Sequence, residues 1–401
     1  MTLTQIGPFG IIWLNLIRSQ MDQILGIRRH KMERSTYALE NTKNLISPAL
    51  VYYKDIILET TKRVIEMAGG PEYLWPHVKS HKAAEMIRMQ IDLGITKFKC
   101  ATVAEAEMTA EAGGASIILA YPLIGPNVSR FLRLAEAYPR TDFYAIGDNF
   151  ESLSILANEA CQMGMTMNVL IDVDTGMHRT GVPIDLLESL YERSSGLKGI
   201  SVKGLHCYDG HRNDRDLSQR KALAEENDLR VLGIKESLER KGLKCEKLVM
   251  GGTPSFPCRT GKENFYLSPG TIFIGDWSYY SKFPDMPFTP GAAIFCRVVS
   301  HREEGNTFTL DLGCKGIASD PAGDRGIIAG LKEAKPVFQS EEHWVFSLPP
   351  GTALPAIGSD QYVIPAHVCP TSALYPEIQV AQGGKITDCW QVSARNRRIT
   401  Y

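Results

Sequence analysis

Three short stretches of this chain carry side chains that could do chemistry together. Pro76-His77-Val78-Lys79-Ser80-His81-Lys82 sets one lysine among further basic groups. A lysine amine attacks a carbonyl only when neutral, and burial beside other cations lowers its pKa toward that state. Lys79 is therefore a candidate Schiff-base former. Gly251-Gly252-Thr253 is the second stretch. It lets backbone N–H groups approach an anion, with a hydroxyl beside them and the positive end of a short helix to follow. The third is His367-Val368-Cys369-Pro370, an imidazole and a thiol two residues apart. On a strand they would share a face. Both are zinc ligands, and thiolate softness favours Zn over Mg or Mn. Two protein ligands would leave positions open for substrate or water. Each stretch also has a plainer reading: a solvated basic turn, a glycine turn, a packed histidine beside a buried cysteine. An amine, an anion cup, an aromatic and an arginine together suggest pyridoxal phosphate (PLP), which needs an aldehyde partner, a phosphate anchor and groups around its ring.

The elements that must position these residues alternate. Short β-rich runs occur at Trp75–Lys79, Lys97–Cys100, Ser116–Ala120, Asp142–Ile146, Met167–Val173, Val202–Tyr208, Lys247–Met250 and Thr271–Ile274. Helical segments with caps lie between most of them. Thr102-x-x-Glu105 reads as a capping box before a helix stopping at Gly113-Gly114, Asp148-x-x-Glu151 as another start, and 214–241 as a long charged helix. Alternation of this kind means right-handed βαβ units and a parallel sheet. The predicted fold class is α/β: a (β/α)8 TIM barrel over 41–285, after a 1–40 extension, followed by a C-terminal antiparallel β domain over 286–401. An open doubly wound sheet is the alternative, but no G-x-G-x-x-G follows the first strand. Chemistry in a barrel sits at the strand ends. Those ends carry Lys79, Arg179 in Asp174-Thr175-Gly176-Met177-His178-Arg179, His206, Tyr208 and His211, the Gly251-Gly252-Thr253 turn, and Gly270.

Composition excludes other classes. Among 401 residues, 44 Lys plus Arg face 45 Asp plus Glu, so there is no basic footprint for nucleic acid and no charge reason for a membrane partner. The nine cysteines form no C-x-x-C pair, which predicts reduced thiols and a cytoplasmic location. The apolar segment at 10–17 has no basic residue before it and no clean cleavage site after it, which argues against a secretory signal. Met32 is a candidate true start, with a loosely packed N-terminal helix as the alternative.

The motifs P-H-V-K-S-H-K, F-K-C-A-T-V-A-E-A-E, A-Y-P-L-I-G-P, D-T-G-M-H-R-T-G-V, G-L-H-C-Y-D-G-H, G-G-T-P, S-P-G-T and H-V-C-P occur in this order. The set resembles the fold-type III PLP enzymes of the D-serine dehydratase and D-threonine aldolase group, which share an alanine-racemase-like barrel. The resemblance implies that Lys79 carries the cofactor's aldehyde and that Arg179 contacts its phenolic oxygen. It places His206 and Tyr208 around the pyridine ring, with Tyr208 toward the nitrogen. Gly251, Gly252 and Thr253 would form the phosphate cup, helped by Gly270 and Asp276, and His367 and Cys369 would hold Zn. Trp75, Ser80 and Ala366 depart from the usual Arg, Thr and Asn.

The implied substrate is a small D-3-hydroxy amino acid, and the implied assembly a homodimer. Cys369 points to dehydration of D-serine, since the aldolases carry an acidic residue there. Retro-aldol cleavage of D-threonine, with His211 as base, is the alternative. An amino-acid racemase would need a second base such as Tyr362 or Tyr375. A non-catalytic PLP carrier would resemble the barrel alone. Glu105 and Glu107 read as a cap and a solvated helix face, and Asp172 and Asp174 as structural or as partners of Arg179. Lys315, Asp320 and His343 are weaker candidates for the site.

Overall fold

The computed structural model describes residues 32–401, so the expectations for residues 1–31 fall outside the described residues. The chain opens with β1 (Ala49–Tyr53) and then builds a parallel sheet from β2 (Lys97–Cys100), β3 (Ser116–Leu119), β4 (Asp142–Gly147) and β5 (Met167–Asp174). A two-residue β6 (Val182–Pro183) pairs β5 at its end. Then come β7 (Ile200–Tyr208), β8 (Lys247–Met250) and β9 (Tyr266–Leu267). Helices between the strands cover the outer face. The strands are buried apolar runs, as a sheet packed on both faces requires. The TIM-like (β/α)8 barrel expected from the sequence is the observed one.

Two expected strands take another form. Trp75–Lys79 is not a continuous strand. Residues 74–77 close the barrel through single bridges, Leu74 to Leu267 and His77 to Lys99, and Val78–Ser80 then coils into a 3-10 turn. The expected Thr271–Ile274 strand is a 3-10 turn over Thr271–Phe273, and the eighth strand is Tyr266–Leu267 just before it. In both places the chain must bend at the barrel mouth, so β-prone residues are held by turn hydrogen bonds instead. Gly275 N, for example, donates to Thr271 O at 2.7 Å.

Helix starts follow local chemistry. Thr102 caps Val103–Glu111 by accepting from Glu105 N at 3.1 Å. Asn149, not Asp148, caps Phe150–Gln162 by accepting from Ser152 N at 2.8 Å. Asp148 is then free to accept from Gly181 N at 2.9 Å and so holds the end of the Arg179 loop. The long helix runs Leu217–Arg240 behind the Asp216 cap.

The barrel interior is layered. Trp75, Ile118, Tyr144, Ile146, Leu170 and Val249 form an apolar floor, with Trp75 edge-on to Tyr144 and Tyr266 at 5.6 and 5.4 Å. Above it lie four buried polar side chains, His77, Lys99, Asp172 and His206.

The second sheet contains β10 (Ala292–Arg302), β11 (Thr307–Leu310), β12 (Gly326–Ile328), β13 (Lys335–Gln339), β14 (Trp344–Ser347), β15 (Asp360–Pro365), β16 (Glu377–Gln382) and β17 (Lys385–Gln391). The hairpin expected around Arg302–Asn306 joins β10 to β11. The sheet also takes a strand from far upstream: β1 pairs antiparallel with β10 and parallel with β16. Ala49–Tyr53, which the sequence reading assigns to the barrel region, therefore belongs to the second sheet. Among the described residues no helix is long and apolar enough to cross a membrane.

Candidate active site

Lys79 sits in the middle of the Val78–Ser80 turn at the barrel mouth. Its neighbours fix that turn: His77 N donates to Pro269 O at 2.9 Å, and Lys99 N to Pro76 O at 2.7 Å. Burial lowers the Lys79 amine below the ordinary lysine range; Cys369 opposes that shift and the Arg179 charge adds to it. The His77 ring meets the Lys99 carbonyl at 2.9 Å, which requires Nδ1 to be the donor. Burial first, and then the Lys79 and Lys99 charges, hold His77 well below its usual pKa.

The Tyr208 ring, at the end of β7, is the centre of a cluster of cations. Lys79 Nζ lies 5.7 Å from its centroid, Lys99 Nζ 5.5 Å and Arg179 Cζ 5.2 Å. Three positive groups facing one shielded spot suit an anionic guest.

The glycine turn after β8 is a close cradle. Gly251 has φ +74, and a Cβ there would lie 2.6 Å from Ser255 Oγ and 2.8 Å from Arg259 Nη1. At Gly252 a Cβ would reach within 2.7 Å of Tyr208 Cε2. Thr253 Oγ1 accepts from Gly270 N at 3.1 Å and from Ile272 N at 3.4 Å, which leaves its own hydrogen to donate outward. Behind the turn, buried Arg259 contacts Asp209 Oδ2 and Asp228 Oδ1, each at 2.8 Å, and Asp209 also accepts from Ser255.

Lys79, Tyr208, Gly252, Thr253, Gly270, His367 and Cys369 line one cavity of about 390 Å³. That size suits a small cofactor with a small substrate. The residues present fit PLP: an amine of lowered pKa, a cup with no room for side chains, a donating hydroxyl and flanking cations.

The His367–Cys369 pair is not on a strand. β15 ends at Pro365; His367 is the N-cap and Cys369 a first-turn residue of the helix Val368–Leu374, whose first turn also takes Pro370, where a missing N–H costs no intrahelical bond. The two side chains still line one cavity, and His367 Nδ1 meets Asp320 Oδ2 at 2.6 Å. A carboxylate on one ring nitrogen is how metal-binding histidines are oriented, with the other nitrogen left for the ion. Imidazole, thiol and orienting carboxylate thus fit an open divalent site, although no cluster of three ligand-type residues occurs among the described residues.

Several expected residues take other places. Asp276 does not reach the cup. It caps Trp277–Lys282 by accepting from Tyr279 N at 2.9 Å, and it accepts from Val368 N at 3.2 Å. It thereby anchors the His367 helix; burial pushes its carboxyl up to about 6 against those two hydrogen bonds. His206 lies beneath the cavity, bonded to Asp172 at 2.7 Å. His211, on the loop after β7, packs against the loop after β5, where a Cβ on Gly176 would come within 3.2 Å of its ring, and it is not a lining residue. Asp172 holds Thr180 and His206 rather than Arg179, and Asp174 caps the Gly176–His178 turn. The Tyr362 hydroxyl accepts from Leu39 N and the Tyr375 hydroxyl donates to Gly316 O, so both are occupied elsewhere. The tyrosines that line the cavity are Tyr208 and Tyr279. Glu107 is buried, not solvated, and accepts from Thr400 N at 2.9 Å; Glu105 sits at its helix start as expected, bonded through its amide to Thr102 Oγ1 and accepting from Ala101 N at 2.6 Å, and also pairs with Lys82. Lys315 is exposed beside Glu341 and Glu342.

Sequence reasoning missed Lys99, Arg259, Asp209 and Tyr279. Lys99 alone left a readable signal, because alternation in Lys97-Phe98-Lys99-Cys100 turns a lysine toward the barrel interior.

A family model described as the alanine racemase N-terminal domain matches residues 55–277, more than half of the chain. The chain belongs to that alanine racemase N-terminal domain family. A second model, described as a serine dehydratase domain, matches residues 291–381. Relatives of this alanine-racemase-like chain include a D-threonine aldolase of Arthrobacter sp, 27% identical over 330 residues, covering 80% of this chain and 85% of the relative. A D-threo-3-hydroxyaspartate dehydratase of Delftia sp. is 22% identical over 340 residues, covering 79% and 89%. A D-serine dehydratase of Dictyostelium discoideum is 22% identical over 389 residues, covering 85% and 94%. Among solved structures, the D-threonine aldolase of Filomicrobium marinum superposes with a TM-score of 0.80 at 26% identity, covering 88% of this chain and 95% of that one.

Proposed function

We propose that this chain is a PLP-dependent lyase of D-3-hydroxy amino acids that uses a divalent metal, Zn by its donor set, and that its reaction is dehydration of D-serine to pyruvate and ammonia. The observation that carries this reading is the single cavity shared by Lys79, the Gly252–Thr253 cup and the His367–Cys369 pair. The curated relatives support the substrate class, since all three are named for D-3-hydroxy amino acids.

Each residue has a task. Gly252 and Thr253 would hold the phosphate, with the free Thr253 hydrogen as donor, while Gly251, its amide bonded to Cys207 O at 2.8 Å, makes the left-handed turn that brings them there. Arg179, beside Tyr208, holds the phenolic side of the ring. Bound PLP supplies the electron sink for charge developing at the substrate's α-carbon. Lys79 Nζ, whose pKa burial lowers, takes the α-proton. His367 and Cys369 would hold the ion, whose Lewis acidity eases loss of the β-hydroxyl. The Val368–Leu374 helix packs against the turn that carries Lys79, with Cys369 Sγ 3.2 Å from Ser80 Oγ.

Retro-aldol cleavage of D-threonine is the second reading, favoured by the 27% identity to the Arthrobacter aldolase. Incubation with PLP, a divalent ion and either D-serine or D-threonine separates the two. Keto acid from D-serine is the expected result. Glycine and acetaldehyde from D-threonine, with no keto acid from D-serine, would reverse the ranking, and turnover of neither would sink both.

A further inference from the structure

Lys99 is the buried charge for which the reaction outlined above has no task. It is 1% exposed on β2, and its side chain crosses the barrel interior to His206 on β7. Its Nζ lies 3.4 Å from His206 Nε2, and His206 Nδ1 lies 2.7 Å from Asp172 Oδ1. Asp172 and His206 are register partners on adjacent strands, so the sheet itself sets that pairing. The second Asp172 oxygen accepts from Thr180 Oγ1 at 2.9 Å, next to Arg179.

We infer that Lys99 is a positioning residue that sets the protonation state of His206: the Lys99 ammonium donates to His206 Nε2 and holds the ring as the neutral Nδ1–H tautomer against Asp172.

The argument begins with valence. An ammonium has three donors and no lone pair, so the nitrogen facing it must accept. His206 Nε2 is then unprotonated, and its one hydrogen sits on Nδ1, aimed at the carboxylate. An imidazolium would instead point an N–H at Nζ, and two cations 3.4 Å apart in a dry layer repel strongly. Lys99 and His206 therefore share one proton.

The other charged and titratable groups around the pair are Lys79 and Arg179 across the Tyr208 ring, His77 on the Lys99 carbonyl, and Asp209. Burial, then the Lys79 charge, brings Lys99 down to about 7, with Asp172 and Asp209 opposing. Burial, then Lys99 itself, lowers His206. Below neutrality the shared proton thus stays on Lys99. The consequence for catalysis rests on the PLP reading above: a neutral imidazole under the pocket adds no further cation near Lys79, whose amine must be free of its proton to act.

The test uses cofactor-free protein, so that it does not depend on that reading. Two-bond 1H–15N correlation spectra of 15N-histidine-labelled wild type, Lys99→Met and Lys99→Arg report which ring nitrogen of His206 carries hydrogen; a His206→Asn variant assigns the signal. Wild type should show Nδ1–H with a bare Nε2. Lys99→Arg, also without a lone pair, should keep that pattern. In Lys99→Met the opposing charge is gone, and His206 should titrate as an imidazolium paired with Asp172, its midpoint raised by about 1–3 units. An imidazolium or an Nε2–H form in wild type below neutrality, or an unmoved midpoint in Lys99→Met, overturns the inference. Should Lys99→Met fail to fold, the wild-type and Lys99→Arg spectra decide alone. Failure of the PLP reading would show separately, as no visible absorbance band when PLP is added to the wild type.

Discussion

The Cys369 thiol lies 3.2 Å from Ser80 Oγ, the hydroxyl of the residue that follows Lys79. One contact thus ties the helix after β15 to the turn that carries the reactive amine. Thr271 Oγ1 meets the same sulfur at 3.2 Å from the other side of the mouth. His367, Cys369 and Lys79 therefore line one cavity within a single chain.

From this arrangement follows a separation of metal from cofactor. Asp320 orients His367 but stands outside the cavity lined by Lys79. Asp320→Asn should weaken divalent-metal binding by about 10–100-fold. The visible absorbance of added PLP should stay unchanged, because Lys79 and the glycine cup are untouched. Metal titration and absorbance on the same preparation check this. Wild-type metal affinity in the variant would mean that His367 is not a ligand.

The cup depends on one hydroxyl. Thr253 Oγ1 accepts two amides and has its hydrogen left for a phosphate oxygen. Thr253→Val keeps the shape, leaves Gly270 N without its acceptor and removes the donor. The unpaired amide lowers stability in the free and bound protein alike, but a lost hydrogen bond to a charged phosphate is worth about 1.5–3 kcal/mol, so PLP affinity should fall roughly 10-fold or more. Thr253→Ser, which keeps the hydroxyl, should bind nearly as wild type. Equilibrium dialysis of PLP against the three proteins is the measurement, and equal affinity for Val and Thr would remove Thr253 from the cup.

How legible the site was depends on how local its signals are. Lys79, Gly251-Gly252-Thr253 and His367-x-Cys369 could be read because each is a short run whose types suit one task. The barrel could be read because its strands are buried on both faces and repeat between capped helices. The bend at Thr271 was misread as a strand, since turn hydrogen bonds override β-prone side chains at a barrel mouth. β1 could not be placed, because its partners on β10 and β16 lie hundreds of residues away in sequence. Arg259 was invisible for the same reason: its partners Asp209 and Asp228 sit on separate segments, and only the fold brings them together. Asp276 was expected at the cup from the family resemblance alone, whereas its carboxylate serves two helix starts.

Arg259 offers a test of support without contact. It is 2% exposed and holds two buried carboxylates behind the glycine turn. Arg259→Met removes the one cation that contacts both among the described residues, since Lys262 reaches Asp228 alone from a partly exposed position. Breaking a buried pair from one side costs about 3–5 kcal/mol. Urea unfolding should show a loss of that order, with weakened PLP binding as the turn loses its backing. A loss under about 1 kcal/mol would mean that the carboxylates find other partners.

Lys99 should make stability depend on pH in a defined direction. Its amine has the ordinary value of 10.5 in the unfolded chain and about 7 in the fold. Between these values the unfolded state binds more protons than the folded one, so stability rises with pH, by at most ~1.4 kcal/mol per unit for one group. The sign follows from burial penalising the charged form: the penalty is complete below the folded value and gone above the unfolded one. Thiols act the other way, since burial raises Cys100, Cys207 and Cys296 well above the ordinary 9.0. Above that value the unfolded chain gains thiolates, which lowers stability. Wild type alone would mix these effects, but the difference between wild type and Lys99→Met cancels the thiols. Urea midpoints across the window, above the histidine range, should show wild type gaining on Lys99→Met as pH rises. A constant difference would mean that Lys99 stays protonated in the fold, with its charge held by Asp172 and Asp209 as firmly as in water.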